Sequence, residues 1–279
     1  MMIQIGKRAR LKVLRFVDFG AYLDAGELGE VLLPRKYEPK DLAEGDEIEV
    51  FLHHDDQGRP VATTETPLAE VGQFAALKVA AVAPAGVFLD WGISRGLFLP
   101  FREERRPLRE GETVVVRVLI DERTGRAMAS AKLHRFLDPD PGELRAGDKV
   151  DLLLFERTDL GYKAVVNGRH VGVLYHAEIF REVSIGERLE GWVLRVRDDG
   201  KIDLGLQAPG AGKVFDFEDE LLKALRESGG RLPFGDASSP EAIHERFGVS
   251  KKTFKKATGA LFRKRLVLLR PEEIELVRR

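Results

Sequence analysis

Glycine recurs in this chain at fixed offsets. Gly6, Gly20 and Gly45 are 14 and 25 residues apart, and the same intervals separate Gly72, Gly86 and Gly111, then Gly147, Gly161 and Gly186. A fourth marker follows 52 or 53 residues after each opening glycine: Gly58-Arg59, Gly125-Arg126 and Gly200-Lys201. A backbone calls for glycine repeatedly where it turns with positive φ or passes close to another segment. Residues 6–207 therefore read as three copies of one unit of about 60 residues. Units of that size sit near the lower limit for folding alone, so neighbouring copies are expected to pack together. The last third of the chain breaks the pattern. Repeats followed by a different, basic module point to a linear polymer as partner more than to a single reaction centre.

Within each copy the residues read as short strands separated by turns. In the first, Ala9, Leu11 and Val13 alternate with Arg8, Arg10 and Lys12, the period of a half-buried strand. Strands are then expected at Gly20–Leu23, Gly29–Leu33, Asp46–Leu52 and Val61–Thr64, with an irregular connection holding Pro34 and Pro39. The second copy gives Leu77–Val82, Gly86–Leu89, Gly96–Leu99, Thr113–Ile120 and Met128–Lys132. The third gives Val150–Phe155, Tyr162–Val166, Val171–Tyr175, Leu189–Val196 and Ile202–Leu206. Five strands with one long connection between the third and fourth describe a small Greek-key barrel of the OB type. A tandem of SH3-like barrels is the alternative, and the long connection favours the OB reading. The expected fold class is mainly β with a C-terminal α/β module. The units are barrels over 1–66, 67–138 and 139–210 and a winged helix-turn-helix over 211–279, with Thr66-Pro67, Asp138-Pro139 and Pro209-Gly210 as separators.

Of the 279 residues 43% are hydrophobic and 33% charged, which excludes wholesale disorder. No apolar run approaches the roughly 18 residues of a membrane span, and no apolar signal core follows the first basic residues. No membrane partner is expected, and the cytoplasm is the expected location. The absence of cysteine excludes disulfides and thiolate metal sites. The net charge is −1, but it is unevenly spread. Residues 246–270 hold nine basic residues and no acidic one.

That basic stretch falls in a helical region. Phe217–Glu227 reads as an amphipathic helix ended by Gly229-Gly230. Ser239-Pro240-Glu241 starts a second helix, which stops at Gly248. Ser250 caps a third, expected to run to about Arg265. The last two helices make a helix-turn-helix. Val267–Leu269 and Ile274–Leu276 are expected as the strands of a wing. On the third helix Phe254, Ala257, Leu261 and Arg265 share one side, and Lys251, Lys252, Lys255, Lys256 and Arg263 fan over the other. Gly259 lies among these cations, where a missing side chain would let a sugar-phosphate backbone approach. Like charges three and four residues apart destabilise a helix unless a polyanion neutralises them. A solvated surface face is the plainer reading.

The segment Val17-Asp18-Phe19-Gly20-Ala21-Tyr22-Leu23 resembles the core motif of the S1 RNA-binding domain. The third copy is similar to a narrower group. Leu160-Gly161-Tyr162-Lys163, Val173-Leu174-Tyr175-His176-Ala177-Glu178-Ile179-Phe180 and Arg197 to Gln207 resemble the conserved virulence factor B family, as does Ser250 to Leu261. That family implies tandem S1-type domains with a C-terminal winged helix, RNA binding, and a role in controlling bacterial gene expression after transcription. S1-type domains present aromatics beside the central glycine and often a histidine after the third strand. On that basis the RNA-binding residues are expected to be Phe19 and Tyr22 in the first copy and Tyr162, Lys163, Tyr175 and His176 in the third. The five cations of the basic helix join them. In the second copy only Phe88 fits, with Ala85 and Leu99 in the other two places; in the first, Leu32 takes the histidine place. The plainer reading is that Phe19, Tyr22 and Phe88 fill barrel cores.

Catalytic motifs are not apparent. His53-His54-Asp55-Asp56 has the composition of a metal or proton-relay site, but it directly precedes the Gln57-Gly58 turn and reads as a hairpin tip. Glu103-Glu104 and Glu272-Glu273 lie beside prolines. No phosphate loop, nucleophile elbow or metalloprotease helix occurs. No catalytic residue, metal or cofactor is expected. The expected function is a non-catalytic binder of single-stranded RNA. The alternative is a transcription regulator that reads DNA through the winged helix, with the barrels as sensor or partner modules.

Overall fold

The computed structural model describes residues 3–208 and 211–277. Three closed five-stranded barrels follow one another, and a helical module with a small sheet comes after them. The first barrel comprises β1 (Arg8–Val17), β2 (Gly20–Asp24), β3 (Glu30–Pro34), β4 (Glu47–His54) and β5 (Pro60–Thr63). The second comprises β6 (Phe74–Ala83), β7 (Gly86–Leu89), β8 (Leu97–Pro100), β9 (Thr113–Ile120) and β10 (Ala127–Ser130). The third comprises β11 (Lys149–Thr158), β12 (Gly161–Val166), β13 (His170–Tyr175), β14 (Arg188–Val196) and β15 (Ile202–Gly205). In each barrel the first three strands form an antiparallel meander. The third strand pairs parallel with the fifth, and the fourth closes onto the first. This is the OB topology; the SH3-like alternative is excluded.

Closure depends on two local devices. The long first strand of each barrel slips register at an equivalent place: between Val13 and Arg15, Val79 and Ala81, and Leu154 and Glu156. An extra residue there bends the strand so that its two halves serve both sides of the barrel. Beside each bulge, the central glycine opens the second strand. A Cβ at Gly20, Gly86 or Gly161 would stand 2.2, 2.3 or 2.1 Å from the carbonyl oxygen of Leu33, Leu99 or Leu174. The strand crossing leaves room for a hydrogen only.

Alternation fills the interiors. Ala9, Leu11, Val13, Leu23, Val31 and Leu33 pack the first barrel, and Leu152, Leu154, Val166, Leu174 and Leu204 the third. The barrels also share apolar contacts. Phe51, on β4 of the first barrel, is buried in the core cluster of the second, edge-on to Trp91 with ring centroids 5.1 Å apart. Phe74, Val115, Leu133, Leu137, Leu153 and Val165 form a cluster between the second and third barrels. The expected separators are held in place. Pro67 is buried and the next amide donates to Trp91 O at 2.8 Å; Asp138 is bound by the Arg169 side chain and backbone. Pro209 and Gly210, the third separator, lie outside the described residues.

The C-terminal module contains α1 (Ala211–Glu227), β16 (Arg231–Leu232), α2 (Pro240–Phe247), α3 (Lys251–Arg263), β17 (Val267–Leu269) and β18 (Ile274–Leu276). Ser239 and Ser250 cap α2 and α3 by accepting from Ala242 N and Thr253 N, and Gly248 closes α2 in the left-handed region. The sheet order β16-β18-β17 adds a short strand that the sequence pattern does not announce, because two residues carry no periodicity. α3 ends at Arg263, short of Arg265, which takes φ 57° in the turn beyond. Phe217, Leu221, Ile243, Phe254, Leu261, Val267 and Ile274 form a core whose members all come from this module.

Candidate nucleic-acid interface

The outer faces of the second and third strands are the broad exposed surfaces of these barrels. Pairing register aligns them: Gly20 faces Pro34, Gly86 faces Pro100 and Gly161 faces Tyr175. In each case a short helical turn follows, beginning with Arg35, Phe101 or His176. The position after the third strand therefore holds Arg35 and Phe101 in the first two barrels, not the expected Leu32 and Leu99. Leu99 is fully buried, and Leu32, in β3 three residues before Arg35, pairs with Tyr22.

On the first barrel, Phe19 is 59% exposed and Tyr22 half-buried. Their rings meet edge to face at 6.5 Å, and the Arg15 guanidinium lies 4.4 Å over Tyr22 while pairing with Glu30 at 2.6 Å. On the second, Phe88 is 38% exposed and pairs across the strands with half-buried Phe98, centroids 5.3 Å apart. Neither Phe19 nor Phe88 fills a core, which overturns the plainer reading of those two rings. The second barrel thus offers two adjacent rings where the sequence reading credited one. Phe98 is missed by motif but marked by alternation: it sits between Leu97 and Leu99, both buried, so it faces outward.

The third barrel divides its four expected residues. Lys163 shares the outer face with Tyr175, as the register sets Lys163 opposite Val173 and Tyr175 opposite Gly161. Lys163 pairs with Glu156 at 3.3 Å. The Tyr175 hydroxyl donates to Asp203 Oδ1 at 3.1 Å and accepts from Arg197 Nη2 at 2.5 Å. Burial, then Asp203, push the Tyr175 phenol above its usual range, so the ring keeps its proton. Tyr162 faces the other way, level with buried Leu174; it is half-buried, packs against the core and donates to Val183 O at 3.3 Å. Its ring edge meets exposed His176 at 6.0 Å.

On α3, Phe254, Ala257 and Leu261 are buried, joined by Thr258. Arg265 lies beyond the helix. The cations are not equivalent. Lys251 is half-buried and donates to Ser238 O at 2.7 Å, and Lys255 pairs with Asp236 at 2.6 Å, an acid outside the basic stretch. Lys252, Lys256 and Arg263 are exposed, with no side-chain partner among the described residues. Gly259 would place a Cβ with nothing within 4 Å.

Asp55 organises the hairpin tip: its carboxylate accepts from the Gln57 and Arg59 amides, both at 2.9 Å, and from Arg59 Nε at 2.8 Å. Burial lowers the basicity of His53 and His54. Among the described residues no group of three or more His, Asp or Glu is arranged to hold a metal ion, and no helix is long and apolar enough to cross a membrane.

Known proteins match along most of this chain. A family model for the S1 domain matches residues 5–65, and one for the CvfB-like winged helix domain matches residues 219–276. Uncharacterized protein YitL of Bacillus subtilis is 29% identical over 272 residues, covering 92% of this chain and 89% of the relative. Conserved virulence factor B of Staphylococcus epidermidis is 25% identical, covering 86% and 83% of the two chains. That of Staphylococcus aureus is 24% identical, covering 92% and 89%. A crystal structure of a Streptococcus pneumoniae multidomain protein with nucleic acid binding domains aligns over 98% of both chains, at 20% identity and a TM-score of 0.42. The S1 and winged-helix domains are nucleic-acid-binding modules, and no catalytic family is among the matches. With an S1 domain at one end, a CvfB-like winged helix domain at the other and these relatives matching across both, the chain is similar over most of its length to the conserved virulence factor B proteins.

Proposed function

We propose that the protein binds single-stranded RNA without cleaving it and regulates gene expression after transcription. The observation that carries this reading is the equivalent strand register of the three barrels. Equivalent outer faces present Phe19 and Tyr22, then Phe88 and Phe98, then Tyr175 beside Lys163. Unpaired bases stack on such rings, whereas a duplex keeps its bases stacked on one another. The basic helix α3 adds phosphate contacts through Lys252, Lys256 and Arg263, and exposed His176 extends the third barrel's platform. Lys163 and Lys255 hold carboxylate partners in the unbound protein and Lys251 a backbone carbonyl, so they contribute only by exchanging those partners for phosphate.

A second reading follows from α3 itself. It is the second helix of a helix-turn-helix, with three exposed cations that have no side-chain partner among the described residues and a β17–β18 wing, which is how a duplex reader is built. The test is a binding series with one sequence presented as single-stranded RNA, single-stranded DNA and duplex DNA, each at two salt concentrations. The proposal expects the single strands to bind more tightly, RNA most tightly, with the RNA intact after incubation with magnesium. Preferential duplex binding would favour transcriptional control.

A further inference from the structure

The first two barrels enclose a cleft of about 540 Å³ that neither forms alone. His53 and His54, at the end of β4, form one wall. Barrel-two residues form the rest: the rings of Phe88, Phe98 and Trp91, termed its floor, and the side chains of Arg95, Arg102, Arg123 and Arg126, termed its rim. The volume suits a single nucleotide-sized ligand.

The chemistry of the lining is divided. The floor is apolar and aromatic, with the face of Phe88 partly open to solvent. The rim is cationic. Arg95 is engaged by Asp56 on the first barrel's hairpin. The side chains of Arg102, Arg123 and Arg126 have no hydrogen-bonding or carboxylate partner among the described residues. One carboxylate, Asp121, stands among them, and its oxygens already accept from Arg123 N and Thr124 Oγ1. Three guanidinium groups around one committed carboxylate leave an unmet demand for an anion. On the first barrel's wall of the cleft, His54 Nδ1 is buried and has no hydrogen-bond partner among the described residues. Burial, reinforced by Arg126, holds that ring neutral at physiological pH, so it offers one donor and one acceptor.

The two barrels are fitted to each other here. A Cβ at Gly58 on the first barrel's hairpin would stand 2.7 Å from Arg126 Nη2 of the second. The missing side chain at Gly58 thus lets a rim arginine of the second barrel lie against the hairpin of the first.

We propose that this cleft is a binding site for one unpaired nucleotide. Its base lies against Phe88 and Phe98, its base edge meets His54, and its phosphate is held by Arg102, Arg123 and Arg126. The nucleotide arrives either free or as one residue of a strand. The site is separate from the third barrel and α3, and does not depend on what those bind.

Trp91 provides a local reporter, because the chain has two tryptophans and Trp192 lies in the third barrel. In a full-length Trp192→Phe background, Trp91 emission is followed during titration with AMP, GMP, CMP and UMP, with the four nucleosides, and with a photoreactive ten-nucleotide RNA. Saturable emission changes with the mononucleotides, about tenfold or more weaker for the nucleosides, establish a site for free nucleotide. If only the oligonucleotide responds, cross-linking to residues 86–100, the occupant is a nucleotide within a strand. In either case Phe88→Ala and the pair Arg123→Ala with Arg126→Ala weaken the response about tenfold or more. Arg126→Lys, which keeps the charge but loses the fork, guards against loosening of the barrel contact. The proposal is overturned if no nucleotide or oligonucleotide alters Trp91 emission, or if these cleft variants respond like the parent. Loss of RNA binding elsewhere in the molecule would leave both outcomes readable.

Discussion

At the scale of single residues, the central glycines are the most constrained positions in the fold. In the second barrel the constraint is one of space alone, since Gly86 does not adopt positive φ, yet its missing Cβ would stand 2.3 Å from Leu99 O. The obstacle is backbone on a paired strand and cannot rotate away. Gly86→Ala is expected to cost about 2 kcal/mol, within the usual range for overpacking, measured by urea unfolding with Trp91 emission. Gly259→Ala provides the contrast. It meets nothing within 4 Å and lies inside a helix, so stability should rise by about 1 kcal/mol. Equal effects of the two substitutions would show that the strand crossing is not what reserves Gly86. The same glycines explain why the topology was legible from the chain: eleven of the twelve repeat markers have positive φ and the twelfth is sterically closed, so each spacing is a backbone requirement written in one letter. The interface was less legible. The position after the third strand lies 15 residues beyond each central glycine, at Arg35, Phe101 and His176, and matching by residue type instead of by that count selected Leu32 and Leu99. Tyr162 misleads in a similar way. Its polar tip argues for exposure, while strand parity sets it level with Leu174, on the inner side.

At the scale of elements, α3 shows how an uncompensated charge run in sequence is partly compensated in space. Asp236 lies 15 residues before the first lysine of the helix, yet the turn ahead of α2 brings it to Lys255 at 2.6 Å. Such pairing depends on tertiary path and leaves no local signature. Exposed ion pairs contribute little to stability, so Asp236 matters more as a competitor for phosphate. Removing Lys252, Lys256 and Arg263, whose side chains have no partner among the described residues, is therefore the sharper test of this helix. On single-stranded RNA each lost phosphate contact lowers the slope of log K against log salt by about 0.7. The Lys252→Ala, Lys256→Ala, Arg263→Ala variant should flatten that slope by about 2 if all three make contact. Tyr175→Ala should weaken binding with little change in slope, because stacking releases few counterions. An unchanged RNA slope together with lost duplex affinity would transfer α3 to the DNA-reading alternative.

At the scale of the whole molecule, the question is how far the modules act as one body. The sequence announces neighbours that pack, because units of this size bury too little surface alone, but it does not say which residues cross. Phe51 is the clearest crossing residue. It occupies a strand of the first barrel and is 1% exposed within the core cluster of the second, against Trp91. Around it, Tyr37 Oη donates to Ser94 Oγ at 2.8 Å, and Ser94 donates to Glu65 at 2.7 Å, so the apolar contact is ringed by hydrogen bonds between units. Phe51→Ala leaves a cavity at that junction and should cost about 3–5 kcal/mol. Its more telling effect would be on cooperativity. The parent protein is expected to lose the first two barrels in one transition, with Trp91 emission and backbone circular dichroism coincident over that step. The variant should separate them, the first barrel melting before Trp91 reports the second. The winged-helix core draws its residues from its own module, so its melting temperature should stay where it was. Since the nucleotide cleft exists only while His53 and His54 stand against the second barrel, Phe51→Ala should also weaken a Trp91-reported nucleotide response below the melting transition, although Phe51 does not line the cleft. Coincident melting of both barrels in the variant, with the nucleotide response intact, would mean that the junction is held by its polar ring and not by this phenylalanine.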